Sequence, residues 1–315
     1  MFRTFFKSIF ESSTLGFLIV LPFYKLFNFF KYDLVNDKRH IEKKFKLNMG
    51  KNLSLEDPKT LNEKISWLKL NDRTSLHTLC SDKYAVRQYI IEKIGDDFVV
   101  PLFFMTLNYR EIILENLPDE PSIIKTNHDS GGGIFVYNKN ELDYNKVQII
   151  LRKRMAINYY QRSNEWQYKN IVPCIIVEKL LQTKEGEIPK DYKLHCFNGK
   201  VRMISVDIDR GSENHKRNWY NKEWVREPYK WSSPKGNGRY TDPSTNDTPK
   251  PRTLNQMIEL SETLSEPFVY VRVDWYDVDG KLFFGEMTFY HDGGNRPILP
   301  EKWDLELGSE LHLNI

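Results

Sequence analysis

The stretch "VRVDWYDVDGKLFFGEMTFY", Val271 to Tyr290, sets Arg272, Asp274, Glu286 and Thr288 on two arms around Asp279-Gly280. Asp-Gly between apolar runs marks a β-hairpin. Residues two apart on a strand share a face, so Arg272 and Asp274 point together. Where Glu286 points depends on the turn. A turn over 278–280 pairs 272 with 286 and 274 with 284, placing both carboxylates and the arginine on one face. A two-residue turn sends Glu286 to the other face. Two carboxylates converging beside an arginine suit Mg²⁺ next to an anion; an exposed sheet face with a surface ion pair is the plainer alternative. Apolar and aromatic residues at 275, 276, 283, 284 and 289 favour a buried sheet.

A second stretch, "SIIKTNHDSGGGIFVYN", sets Lys125 ahead of Gly131, Gly132 and Gly133. In a P-loop the glycines precede the lysine and a helix follows, so this is not one. Strand, polar glycine loop, strand describes a flap. Its tip has free backbone N–H groups and little side-chain bulk, which lets it fold over a triphosphate as an anion nest. Lys125 beneath the tip would place one charge on the α- or β-phosphate. An ordinary flexible hairpin tip has the same pattern.

The elements that hold these stretches read as α+β. "DPKTLNEKISWLKLND" offers Thr60 and Glu63 as a helix-opening pair, and "SDKYAVRQYIIEKIG" is a second capped helix ending on glycine. Beyond Pro101 short strands dominate: "SIIKT" and "GIFVY" as an antiparallel pair, a helix over 145–160, "CIIVEKLL" as a buried strand, and a hairpin around Asn198-Gly199. Residues 226–252 read as a long mobile loop, and "TLNQMIELSETLS" as a helix. The segments group as 1–50, 51–100, 101–180 and 181–315.

Composition narrows the partners. Lys+Arg number 46 against 43 Asp+Glu, too even for a general nucleic-acid binder. The basic excess lies in residues 1–50, which hold 9 Lys+Arg and 4 Asp+Glu. There Phe2, Phe5, Phe6, Ile9 and Phe10 recur at helical spacing, followed by the apolar run "LGFLIVLPFY". Ten apolar residues are too few to span a bilayer, which takes roughly 20. The pattern suits a surface anchor over residues 1–30, or packing on the body of the protein. Three cysteines in no CxxC spacing suit a reduced, cytoplasmic setting, at the inner membrane face if the anchor holds. His195 and Cys196 lack a third partner and read as packing residues.

"LNEKISWLKLND", "DKYAVRQYI", "KTNHDSGG", "EWQYKNI", "DYKLHCFNGKV", "HKRNWY" and "VRVDWYDVDGKLFFGEMTF", in this order, resemble the TupA-like (teichuronopeptide biosynthesis) branch of the ATP-grasp superfamily over residues 55–310. The resemblance implies an ATP-grasp fold, two α+β subdomains clamping ATP, here with an N-terminal helical segment. Lys83 and Lys125 would match the phosphate-binding lysines and Gly131, Gly132 and Gly133 the flap tip, with His128 and Ser130 near the γ-phosphate. Glu178, Lys179 and Leu180 would match the linker whose main chain reads the adenine edge. Lys193 resembles a strand residue facing the phosphates. Asp274 and Glu286 would match the Mg²⁺ carboxylates, and Arg272 the arginine that stabilises the oxyanion in acyl transfer. One departure is Thr288, where the superfamily usually has asparagine; a hydroxyl is the weaker Mg²⁺ ligand.

"DIDRGSENHKRNWYNKEW" mixes Arg210, His215, Lys216 and Arg217 with Trp219, Tyr220 and Trp224. Cations suit an acceptor carboxylate and flat aromatics suit sugar rings; a charged surface loop with aromatic anchors is the alternative. The resemblance then implies an ATP- and Mg²⁺-dependent ligase joining an amino acid to a uronic acid of a cell-surface saccharide. The rival classes are a sugar kinase or glycosyltransferase-like capsule enzyme, and a non-catalytic ATP-binding protein.

Overall fold

A computed structural model describes residues 14–33, 36–210, 212–236 and 238–314. The chain divides into two compact units, Met1–Ile41 with Leu102–Leu180, and Glu42–Pro101 with Leu181–Ile315. The division falls inside the helix Asp37–Met49.

The first unit is built on β1 (Leu102–Thr106), β2 (Ser122–Thr126), β3 (Ile134–Val136) and β4 (Ile175–Lys179), in the order β1-β4-β2-β3 with every pair antiparallel. Ile124, Val136, Ile175 and Val177 point to one side and pack on Val147 and Leu151 of the helix Tyr144–Met155. That helix stops short of the expected residue 160. Asn158 instead caps a new helix, Tyr159–Ser163, its side chain accepting from the Tyr160 N–H, the competition for backbone donors that asparagine brings to helix interiors. The apolar N-terminal run forms the helix Thr14–Asn28. The spaced phenylalanines and Ile9 before it lie outside the described residues. Among the described residues no helix is long and apolar enough to cross a membrane.

The second unit centres on β5 (Asp191–Phe197), β6 (Lys200–Ile208), β7 (Lys216–Tyr220), β11 (Tyr270–Val278) and β12 (Lys281–Thr288), antiparallel throughout in the order β12-β11-β5-β6-β7. Both hairpins turn on two residues, Asn198-Gly199 and Asp279-Gly280, all four with positive φ, as the right-handed strand twist favours. Tyr192, Leu194, Cys196, Val271, Val273 and Trp275 form the apolar face in the core that also takes Leu254, Met257 and Leu264 of the helix Leu254–Ser265. Thr60 and Glu63 close a capping box on the helix Leu61–Asn71.

Residues 226–252 are not the free loop that their Pro, Gly and Ser content suggests. They carry β8 (Lys230–Trp231), β9 (Pro234–Gly236) and β10 (Arg239–Tyr240) and bury Tyr229, Trp231 and Thr241. β8 pairs with β13 (Ile298–Leu299), and the Trp231 indole N–H donates to the Arg296 carbonyl at 3.0 Å. Two large aromatics outweigh the local turn composition.

Candidate functional site

The site in the second unit follows from strand alternation. With Tyr192, Leu194 and Cys196 turned into the core, Asp191, Lys193 and His195 must occupy the other face. Register lines their neighbours up beside them. Asp274 lies opposite Lys193, Asp191 opposite Asp207, and Asp207 opposite Arg217. One side of the sheet is hydrocarbon and the other a band of charge.

Glu286 joins that band by a route the hairpin's turn alone would forbid. Val278 pairs with Lys281 and Trp275 with Phe284, the two-residue register that sends Glu286 to the opposite face. Between Trp275 and Val273 the register shifts, and Val273 pairs with Met287 and Arg272 with Thr288. Gly285 and Glu286 together oppose Asp274, a β-bulge whose extra residue restores the phase. Arg272, Asp274 and Glu286 share a face, through a bulge and not through the wider turn over 278–280.

Arg272 ties the face together. Its Nε and Nη2 donate to the two Asp274 oxygens at 2.6 and 2.7 Å, and Nη2 also reaches Glu286 Oε1 at 2.8 Å. Its Nη1 donates to His291 Nδ1 at 3.0 Å. Burial disfavours the guanidinium's charge, but Asp274 and Glu286 outweigh that and hold its pKa above the ordinary arginine value. Close packing likewise works to raise Glu286, yet Arg272, Lys193 and Lys83 hold its carboxyl below the usual glutamate range. Lys83 stands in the turn before the helix Val86–Ile94, and its charge helps to lower the Glu286 carboxyl. Lys193, fully buried, donates to Asp191 and to Asp274 Oδ2, the latter at 2.8 Å.

Behind Lys193 a second cluster forms. Arg210 donates to Asp191, and Arg217 grips Asp207 with Nε at 2.7 Å and Nη2 at 3.3 Å. His215 Nε2 stands 3.1 Å from Asp207 Oδ1. Burial works to raise the Asp207 carboxyl, but His215, Arg217 and Lys193 drive it far below its ordinary value. Lys216 does not join them: next to Arg217 on β7, it is exposed and turned the other way. The four expected acceptor cations therefore separate into three on the charged face and one apart.

In the first unit, Lys125 on β2 donates to Glu178 Oε2 on β4 at 2.9 Å. Gly131 and Gly132 have φ near the left-handed region, 77° and 76°. At Gly133 a Cβ would stand 2.6 Å from Ile123 Cδ1, so a larger residue there would have to push the end of that side chain aside. Arg154, from the helix Tyr144–Met155, donates to the Gly132 carbonyl. Ser130 is exposed at the flap, whereas His128 is buried and its Nε2 donates to the Ile157 carbonyl at 3.1 Å. Lys179 is exposed and paired with Glu120 at 2.9 Å. The Leu180 N–H donates to the Pro121 carbonyl at 3.0 Å. β4 pairing runs on one residue past the strand, and that donor is taken.

The residues fit Mg²⁺ in part. Carboxylate oxygens of Asp274 and Glu286 lie 2.7 and 2.8 Å from the same Arg272 nitrogen, so a cation already bridges them. Thr288 Oγ1 donates to Glu286 Oε1 at 3.3 Å, beside that bridge. Among the described residues no three His, Cys, Asp or Glu side chains are grouped to hold a metal. Two carboxylates with the remaining ligands drawn from phosphate and water is the usual Mg²⁺ arrangement in nucleotide sites.

Asp191 and Asp207 are site residues that the motifs do not single out. The two aspartates were visible in principle: Asp191 stands two positions before Lys193, and Asp207 faces it across the Asn198-Gly199 hairpin. His291 stands three residues beyond Thr288, close enough in sequence to read as a ligand of the hairpin, and from the turn after β12 it meets Arg272.

Residues 63–312 match a family model described as TupA-like ATPgrasp. No curated protein matches. Similar solved structures include D-alanine–D-alanine ligase from Bacillus anthracis, at 17% identity and TM-score 0.34, covering 74% of this chain and 60% of that one. D-alanyl-alanine synthetase A from Vibrio cholerae gives 12% identity and TM-score 0.43, with 80% and 63% covered. An L-amino acid ligase from Bacillus licheniformis gives 13% and 0.42, with 82% and 56% covered. The chain thus spans less than two thirds of each of these structures.

Proposed function

Since the chain belongs to the TupA-like ATP-grasp family, we propose that it is an ATP-dependent carboxylate–amine ligase joining an amino acid to a uronic acid of a cell-surface saccharide. A carboxylate oxygen of the acceptor attacks the γ-phosphorus of ATP, and ADP departs with the electron pair of the broken P–O bond. The amine then attacks the acyl carbon, inorganic phosphate leaves, and the nitrogen loses a proton as the amide forms. The observation that carries this reading is Arg272, held between Asp274 and Glu286 on a water-poor charged face.

Each residue has a task in that sequence. Lys125 and the flap amides offer positive charge to phosphate oxygens, as phosphoryl transfer depends mostly on positioning and charge stabilisation. Asp274, Glu286 and Thr288 would hold Mg²⁺, which when bound neutralises phosphate charge. Arg272 is positioned for the oxyanion of the acyl-transfer step, fixed by His291 on its far side. Lys193 holds Asp274 in place and adds charge beside it. Arg210, His215 and Arg217, gathered on Asp191 and Asp207, offer cations for the acceptor carboxylate.

The test is a panel of amino acids with a uronate acceptor, scored by ADP release and product mass. An amide product formed in step with ADP supports the ligase. ADP with a phosphorylated sugar would make it a kinase, and ATP binding without turnover would leave a binding protein.

A further inference from the structure

The turn after β12 sends two consecutive side chains toward two different arginines. His291 meets Arg272, its Nδ1 3.0 Å from Nη1. Asp292, the next residue, accepts from the Ser233 hydroxyl through Oδ2 at 2.5 Å. Ser233 in turn accepts from Arg217 Nη1 at 3.0 Å. The directions in this chain are fixed at both ends. A guanidinium only donates and a carboxylate only accepts, so the hydroxyl between them accepts from one and donates to the other. Both bonds are assisted by charge, and the serine carries the pull of Asp292 to Arg217.

The backbone of the turn has a fixed seat. Asp292, Gly293 and Gly294 have φ of 48°, 65° and 66°, a run in the left-handed region. The helix Leu61–Asn71 grips that run. Lys69 Nζ donates to the Gly293 carbonyl and Ser66 Oγ to the Gly294 carbonyl, both at 3.5 Å. Both side chains are fully buried, where polar groups are costly without partners. A Cβ on Gly294 would stand 2.9 Å from the Asn62 carbonyl oxygen, so the turn lies directly on the helix backbone.

What Asp292 holds from that seat is Arg217. The guanidinium binds Asp207 through Nε and Nη2 and Ser233 through Nη1, with 8% of the side chain exposed. These bonds use three of its five N–H donors and leave one on each Nη. Ser233 is pinned as well: its N–H donates to Thr241 Oγ1 at 2.9 Å, and the Thr241 N–H returns to its carbonyl at 3.0 Å.

We propose that Ser233 and Asp292 are positioning residues of the acceptor site. They set Arg217 against the same turn that sets Arg272, so the cation for the acceptor carboxylate and the arginine for the oxyanion share one frame. Small misplacements of a reacting group are expensive in rate, which is what such a frame prevents. This positioning rests on the acceptor role given above to Arg217.

The experiment is calorimetry of D-glucuronate binding beside steady-state kinetics of amide formation. Ser233→Ala should weaken glucuronate binding and raise its KM about tenfold, the effect of losing a hydrogen bond to a charged group. Its kcat and ATP affinity should stay within about twofold of the parent. Ser233→Thr keeps the hydroxyl and should bind as the parent does. Asp292→Asn, which tolerates the left-handed backbone, should weaken binding in the same sense, and it carries the comparison if Ser233→Ala unfolds. In an Arg217→Lys background Ser233→Ala should add nothing, because it acts through Arg217. Additive losses, parental binding in Ser233→Ala, or a parent chain that binds no glucuronate overturn the proposal. A parent that binds glucuronate, loses it in Ser233→Ala and forms no amide supports the positioning and removes the ligase reading instead.

Discussion

Asp274 and Glu286 carry the same charge and touch the same arginine, yet their surroundings give them different weights. The Asp274 side chain is 3% exposed and accepts from Arg272 and Lys193; that of Glu286 is 42% exposed. Asp274→Ala leaves Arg272 and Lys193 buried with a partner missing, a loss of about 3 kcal/mol of stability. Glu286→Gln keeps an acceptor for Arg272 and sits at the half-exposed edge of the face, so it should cost less stability than Asp274→Ala while abolishing ADP release. Urea unfolding and the turnover assay on the two variants separate the roles; equal destabilisation would mean that Glu286 is structural. In the first unit Lys125→Ala should weaken ATP binding roughly tenfold to a hundredfold, the worth of a hydrogen bond to a charged group, by calorimetry. An unchanged affinity would remove Lys125 from the phosphate contacts. The residue types at these positions could be read from the chain, while their unequal burial could not.

At the scale of the hairpin, Asp279-Gly280 was legible and the bulge was not. A turn shows its type through residues that tolerate positive φ, and both of these do. A bulge depends on how two strands meet, and nothing in "FFGEM" alone says that Gly285 and Glu286 share one partner. Gly285 is the place to test it. A Cβ there would sit 3.1 Å from the Asp274 carbonyl oxygen and 3.2 Å from the Tyr276 ring. Gly285→Val should therefore cost roughly 1–3 kcal/mol, the range for overpacking, and lower ADP release by more than its stability loss explains, because Glu286 turns with the bulge. A variant as stable and active as its parent would show that the phase is set elsewhere. The segment 226–252 departs from its composition for a related reason: Pro, Gly and Ser favour turns locally, whereas the burial of Tyr229 and Trp231 depends on residues distant in sequence.

For the whole molecule, the second unit is assembled from two stretches of chain far apart in sequence, joined by contacts such as Lys64 donating to the Leu311 carbonyl at 2.6 Å. The second unit also carries the pH behaviour. Burial, with Arg272, Arg217 and Lys193 nearby, pushes His195 well below its ordinary pKa, and burial together with His195 and Arg272 does the same to His291. Between that lowered value and about 6.5, the unfolded chain binds the proton and the folded chain does not. Stability is then complete above about pH 6.5 and declines on acidification, by up to about 1.4 kcal/mol per pH unit for each histidine. Asp207 and Glu286, with depressed pKa values, add their own loss only below the ordinary carboxylate range. Urea unfolding at pH 7.5 and 5.5 checks this. A flat profile would mean that these histidines are solvated or protonated in the fold.

The order of elements, the two tight turns, the glycine flap and the residue types of the charged face were written in the linear chain. Each rests on local preference: positive φ at Asn-Gly and Asp-Gly, alternation along a strand, capping at a helix start. The convergence of Arg272, Asp274, Glu286 and Lys193 and the pairing of Leu180 arose only on folding. Those features depend on register and burial between segments many residues apart, and no local preference encodes them.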